Sequence, residues 1–218
     1  IISLINFMGR SMPIEVVMAI SLLSCLAFFV SVNLYNILVT HKRGGTVKSY
    51  AEVEHPSSPK VALAAIGTFA YFLEVSAYLF LVFTGRSHLL YIPPFYFQLP
   101  FPICIQVLGF AFTLFGYYIS LWSVIVRGKY AVSWKMPENH KLVTCGPYRY
   151  VRHPSYLGYF SMFFGLLFLW SNLFTLIPLL AIPGYYSVAL EEEKLLIRRF
   201  GTEYLEYQKN TGKFIPKL

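Results

Sequence analysis

An all-helical, polytopic membrane protein is the fold class this sequence predicts, and three observations predict it. Of 218 residues, 56% are hydrophobic and only 13% charged, about half the charged share of an average soluble domain. Mean hydropathy is +0.57. The apolar residues fall into runs long enough to cross a hydrocarbon core of about 30 Å, without the period-two alternation of a β-barrel. The same composition excludes disorder, coiled coil and collagen-like repeats.

Residues 14–39, 61–83 and 101–126 each supply one span. The first run is too long for a cleaved signal peptide and lacks a small-residue cleavage site. Residues 156–190 are too long for one helix and break near Ser171-Asn172, so they read as a hairpin. Its first helix covers 156–170, and its second, kinked by Pro178 and Pro183-Gly184, covers 173–190. About five membrane helices result. Residues 1–126 form a three-helix anchor, and 127–218 form the catalytic region of loop, hairpin and C-terminal amphipathic helix.

Net charge is +8, but the basic residues sit between apolar runs. That points to loops facing an anionic leaflet rather than to nucleic acid. The segments at 40–60, 127–155 and 191–218 hold sixteen of the eighteen Lys and Arg residues. The positive-inside rule places all three in the cytosol. The expected location is multi-pass: the cell membrane of a prokaryote or the endoplasmic reticulum of a eukaryote.

All ten acidic residues are glutamate, which rules out a Ser-His-Asp triad, an EF-hand and Asp-based phosphoryl transfer. Cys25, Cys104 and Cys145 form no C-x-x-C pair and no zinc-binding spacing, so no metal is expected. Glu74, in the middle of the second span, is either a functional carboxyl or one hydrogen-bonded to a neighbouring helix.

Chemistry concentrates in the last third. Polar, aromatic and Gly/Pro residues crowd 138–158, where Gly146-Pro147 signals a turn and Pro154 opens a helix. The N–H groups of that helix start, beside Arg152 and His153, should form an anion-receptive corner. Glu191-Glu192-Glu193 mark where the last membrane helix leaves the bilayer. Three successive carboxylates span about 200° of helix, so at least one faces the protein. The hairpin returns them to the side of His140 and His153. No Gly-rich dinucleotide or P-loop pattern occurs. On residues alone, the cofactor stays open between S-adenosylmethionine and NADPH.

Three runs carry a resemblance: His-x-Leu-Val-x-x-Gly-x-Tyr at 140–148, Arg152-His153-Pro154-Ser155-Tyr156-x-Gly158, and the glutamates followed by Phe200-Gly201-Thr202-Glu203-Tyr204-Leu205-Glu206-Tyr207. In these the chain resembles the isoprenylcysteine carboxyl methyltransferase family and related membrane lipid methyltransferases. The resemblance implies methyl transfer from S-adenosylmethionine to a lipid or lipidated acceptor entering from the bilayer, with a prenylcysteine carboxylate first among acceptors. It implies that His140, Lys141, Leu142, Val143, Gly146, Tyr148, His153, Pro154, Ser155, Tyr156 and Glu192 bind the cofactor. Arg152 and Glu192 are the expected catalytic residues. The family arginine that recognises the substrate falls at Val188 here, and Arg198 or Arg199 is the candidate replacement. A phosphatidylethanolamine N-methyltransferase, with Glu191 or Glu193 as base, and an NADPH-dependent sterol-type reductase are the alternatives.

Overall fold

A computed structural model describes residues 2–44, 49–52, 58–93, 95–128, 135–137 and 141–217. Three long helices come first: α1 (Ile2–Gly44), α2 (Ser58–Phe83) and α3 (Pro102–Arg127). A 3-10 turn at Gly146–Arg149 precedes α4 (Pro154–Leu169), and a 3-10 stretch at Leu173–Leu180 leads into α5 (Ala181–Phe200) and α6 (Thr202–Asn210). Four segments are long and apolar enough to cross a membrane: Ile14–Val39, Pro59–Phe83, Pro102–Arg127 and Leu173–Phe200. The 16 residues of α4 rise about 24 Å, short of a hydrocarbon core. Phe28, Ile37, Phe69 and Leu73 point large apolar side chains outward, as lipid-facing helices do.

Two details depart from the sequence expectation. A short antiparallel ribbon pairs β1 (Ser49–Glu52) with β2 (Lys135–Pro137). The second hairpin helix is not one kinked rod from 173 to 190. Its first eight residues wind as 3-10 helix around Pro178, and α5 then runs unbroken through the three glutamates to Phe200. Pro178 and Pro183 have no N–H to donate, which removes α-type bonds from this stretch. Asn172 starts it, its Oδ1 accepting from the Phe174 N–H at 3.0 Å, so the break falls where the sequence puts it.

Small residues set the α3–α4 contact. Gly109, Thr113, Gly116 and Ser120 of α3 face Gly158 and Gly165 of α4, and a Cβ on Gly116 would lie 2.6 Å from the Gly158 carbonyl oxygen. Backbones this close are the usual means of helix association in lipid, where apolar side chains gain nothing from leaving solvent. Gly184 of α5 meets Ala64 of α2 in the same way. Between these pairs lies an aromatic-rich core containing Phe29, Tyr71, Tyr117 and Phe163.

The two ends of the bundle differ. At one, the 84–100 loop is laced to the α4–α5 turn: the Trp170 indole donates to the Leu90 carbonyl at 2.8 Å, and the Phe97 N–H to Ser171 O at 3.0 Å. Tyr91 donates to the buried Glu15 carboxylate there at 2.8 Å. The other end gathers the C-terminus of α3, the N-terminus of α4, the end of α5 and the tail. All the described residues of the expected cofactor site lie on elements that meet at that end.

Candidate functional site

The α3–α4 contact aligns the end of one helix with the start of the other. Ser123 and Ser155 share a hydrogen bond at 2.5 Å, and the Ser120 hydroxyl donates to the Ser155 carbonyl at 3.2 Å. Gly146 sits over α3 with φ of 60°, where a Cβ would meet Val126 at 2.9 Å. Glycine supplies that left-handed turn without strain. Tyr148 follows and is buried. The Tyr207 hydroxyl of α6 donates to its carbonyl at 2.6 Å, tying the turn to the tail.

A charge cluster forms where α5 crosses this corner. Arg152 Nε donates to Glu193 Oε1 at 2.8 Å, Lys213 Nζ lies 3.1 Å from Glu193 Oε2, and Gln208 Nε2 donates to the same oxygen at 3.3 Å. His153 bridges the two acids, with Nε2 3.2 Å from Glu193 Oε1 and Nδ1 3.5 Å from Glu192 Oε2. Glu192 also accepts from the Tyr156 hydroxyl at 2.9 Å. Glu191 turns outward to Lys194. Two of the three glutamates therefore face inward, and the more buried one, Glu193, is saturated by protein partners.

Both nitrogens of His153 face carboxylates, an arrangement that only the doubly protonated ring satisfies. Burial pushes the imidazole down, but hydrogen bonds to Glu192 and Glu193 and their charges outweigh it. The result is a pKa raised above the ordinary 6.5. A raised folded-state value stabilises the fold fully below the unfolded pKa, and that contribution is lost as pH rises through the folded one. The thermal midpoint in detergent should therefore fall as pH is raised from about 6 through and beyond neutrality. His153→Gln should flatten that slope, and an unchanged slope in the variant would place the titration elsewhere.

The tail covers part of the expected anion-receptive corner. Gly212 pairs with Val151 in a parallel bridge. The Arg152 N–H donates to Gly212 O at 2.8 Å and the His153 N–H to Lys213 O at 3.1 Å. Carbonyl oxygens thus take the N–H groups of the two residues that precede α4. Arg152 Nη1 also donates to the carbonyls of Gln208 and Thr211, so its guanidinium staples the tail to α4.

Tyrosines line the membrane side of the cluster. Tyr156 lies parallel to the His153 ring at 5.6 Å between centroids and 4.8 Å from Tyr185, which stacks on Tyr159 at 5.3 Å. Phe214 from the tail caps His153 at 5.7 Å and Phe160 at 5.2 Å. Tyr185 is anchored by Thr68 of α2 at 2.7 Å. A carboxylate beside tyrosine faces suits a sulfonium cation, which both the charge and the π-faces attract.

The other expected residues are distributed as follows. His140 lies outside the described residues. Lys141 is exposed, and Leu142 and Val143 are half-buried in an extended segment leading to Gly146. Pro154 is buried at the start of α4. Arg198 is exposed, whereas Arg199, seven residues beyond Glu192, shares its helix face. Val188 is only 6% exposed, so an arginine there would have to displace packed neighbours. Glu74 is 8% exposed with no partner for Oε2 among the described residues, and it does not join the cluster. Lys213, Gln208, Tyr185 and Arg127 belong to the site region without having been singled out by sequence.

A bundle of apolar helices with a carboxylate- and tyrosine-lined polar site at one end defines a polytopic membrane protein with an interfacial binding site. Residues 104–203 match the family model described as phospholipid methyltransferase. It is 34% identical over 117 residues to the protein-S-isoprenylcysteine O-methyltransferase of Xenopus laevis, covering 51% of this chain and 41% of that protein. The enzyme of that name from Schizosaccharomyces pombe is 33% identical over 118 residues, 52% of this chain and 50% of that protein. The one from Saccharomyces cerevisiae is 34% identical over 127 residues, 56% of this chain and 53% of that protein. The chain spans about half the length of these curated relatives.

Proposed function

We propose that this protein transfers a methyl group from S-adenosylmethionine to a lipid-embedded acceptor, the carboxylate of a prenylcysteine-type substrate. The observation that carries the reading is the convergence of Glu192, His153, Tyr156 and Tyr185 at one membrane-facing corner inside the family-matched region. The named relatives act on isoprenylcysteine, which supports the same acceptor here. Lys141, Leu142, Val143, Gly146, Tyr148 and the segment from His153 to Tyr156 would hold the donor together with Glu192, as would His140. The donor supplies an activated methyl group on a sulfonium. Glu192 and the tyrosine faces would bind that cation and keep water from it. Arg152 and Glu193 position His153 and the tail, so the two reactants meet in a fixed geometry.

The cluster also favours a carboxylate over an amine acceptor. An ammonium must lose a proton before it can attack. Glu193 is bound by three cationic side chains, and Glu191 is paired outward with Lys194. A carboxylate needs no base. By the charge of its flanking segments, this end of the bundle faces the cytosol.

Thermal unfolding in detergent tests the donor site. S-adenosylhomocysteine at about 100 times its Kd should stabilise the wild type by about 2.7 kcal/mol, and NADPH should not. Glu192→Ala should weaken that affinity about 10- to 100-fold, while Glu191→Ala should leave it unchanged. Wild-type affinity in Glu192→Ala would remove Glu192 from the donor site.

A further inference from the structure

We propose that Arg127 holds the anionic head of the acceptor, a carboxylate or a phosphodiester, at the membrane face of the site. The proposal rests on the methyl-transfer reading only for the identity of the acceptor. Arg127 is the last residue of α3 and lies one turn beyond Ser123, whose hydroxyl meets Ser155. Its side chain therefore starts on the face that packs against α4. Gly146 packs on neighbouring Val126. The charged and ionisable groups that act on it are Tyr148, Glu192, Tyr156 and Tyr159. Among these only Glu192 is an acid, and the proposed donor site uses it.

The guanidinium is unevenly satisfied. Its Nε is buried and has no hydrogen-bond partner among the described residues. Arg152, by contrast, sends Nε and Nη1 into protein acceptors. A guanidinium stays charged at any working pH, and burying one without a bidentate partner is costly. An oxyanion would complete it, and the planar fork matches both a carboxylate and a phosphodiester.

Position selects the acceptor over the donor. Arg127 ends a candidate membrane span, at the depth where the polar head of a lipid lies. Its neighbour Tyr159 leads inward to Phe163 at 6.4 Å and Phe29 at 6.3 Å, an aromatic surface suited to an apolar chain. On α5, buried Val188 carries no charge, and exposed Arg198 points away from the Glu192 face.

Equilibrium binding to full-length protein in detergent tests the assignment. The probes are N-acetyl-S-farnesylcysteine, its methyl ester, phosphatidylethanolamine and S-adenosylhomocysteine. Arg127→Gln should weaken binding of the free acid about 10-fold or more and of the neutral ester less than about 2-fold. Homocysteine-nucleoside affinity should hold, which also shows that the variant folds. Arg127→Lys should recover part of the loss. If phosphatidylethanolamine shows the Arg127-dependent loss and the acid does not, the anion is a phosphodiester: the assignment stands and the prenylcysteine acceptor falls. Equal losses for acid and ester, lost S-adenosylhomocysteine binding with acid binding intact, or no binding of either anionic probe by the wild type would overturn the assignment. Arg127-dependent acid binding without methyl transfer by the wild type would instead overturn the methyl-transfer reading alone.

Discussion

Glu193→Ala should cost about 3–5 kcal/mol of stability, the usual penalty for removing one partner of a buried ionic cluster. Among the described residues the carboxylate is the only anion shared by Arg152, His153 and Lys213, and its side chain is 8% exposed. Without it, three cations are left around Glu192 in a corner that water reaches poorly. The tail should suffer first, because Lys213 and Gln208 bind that carboxylate directly and it also holds Arg152, whose Nη1 donates to the Gln208 and Thr211 carbonyls. Limited proteolysis in detergent should therefore cut near α6 in the variant well before the transmembrane helices unfold. Glu193→Gln should be nearly as damaging, since it restores shape but not charge. Glu191→Ala is the matched control. Its carboxylate pairs outward with Lys194, which is 60% exposed, so it should cost no more than about 1 kcal/mol. Equal losses for the two alanine variants would mean that the cluster does not hold this end together.

Sequence alone could not distinguish Glu193 from its neighbours, and the reason is general. Periodicity says that consecutive glutamates point in different directions, but not what waits in each direction. Glu192 was singled out by its place in a family pattern. Glu193 owes its burial to Lys213 and Gln208, which reach it through a fold-back of the tail. That fold-back is a single parallel bridge between Val151 and Gly212, and one bridge leaves no local pattern to read. The pairing of the Arg152 and His153 N–H groups with tail carbonyls was hidden for the same reason.

What depends on local chemistry was legible. The 14–39 span and the break at Ser171-Asn172 each follow from apolar run length or a helix-breaking residue. The 3-10 winding around Pro178 was legible only as a kink, because the prolines mark lost donors and not the helix type that replaces them. Arg127 was hidden by its own position. An arginine ending a span reads as a snorkelling residue, and only the overlay of Gly146 and Tyr148 turns it inward. The short ribbon of β1 and β2 joins residues more than eighty apart, beyond any local signal.

Gly158→Leu should abolish the site through the helix packing beneath it. A Cβ at position 158 would lie 2.7 Å from the Gly116 carbonyl oxygen and 3.0 Å from Ile119 Cγ2, with the Ser120 hydroxyl closer still. A carbonyl oxygen in the middle of a helix cannot rotate away, so α3 and α4 would have to separate. Overpacking usually costs about 1–3 kcal/mol. Here the obstacle is backbone, and the loss should reach about 3 kcal/mol or more. Separation would also pull Ser123 from Ser155 and lift Gly146 and Arg127 away from Tyr156. S-adenosylhomocysteine should then give no stabilisation, even to protein that remains soluble in detergent. Phe164→Leu, on the exposed side of α4, changes a side chain without touching α3 and should keep both stability and the ligand response. A Gly158→Leu protein with wild-type midpoint and full ligand stabilisation would show that α3 and α4 are not in backbone contact and that the site is assembled some other way.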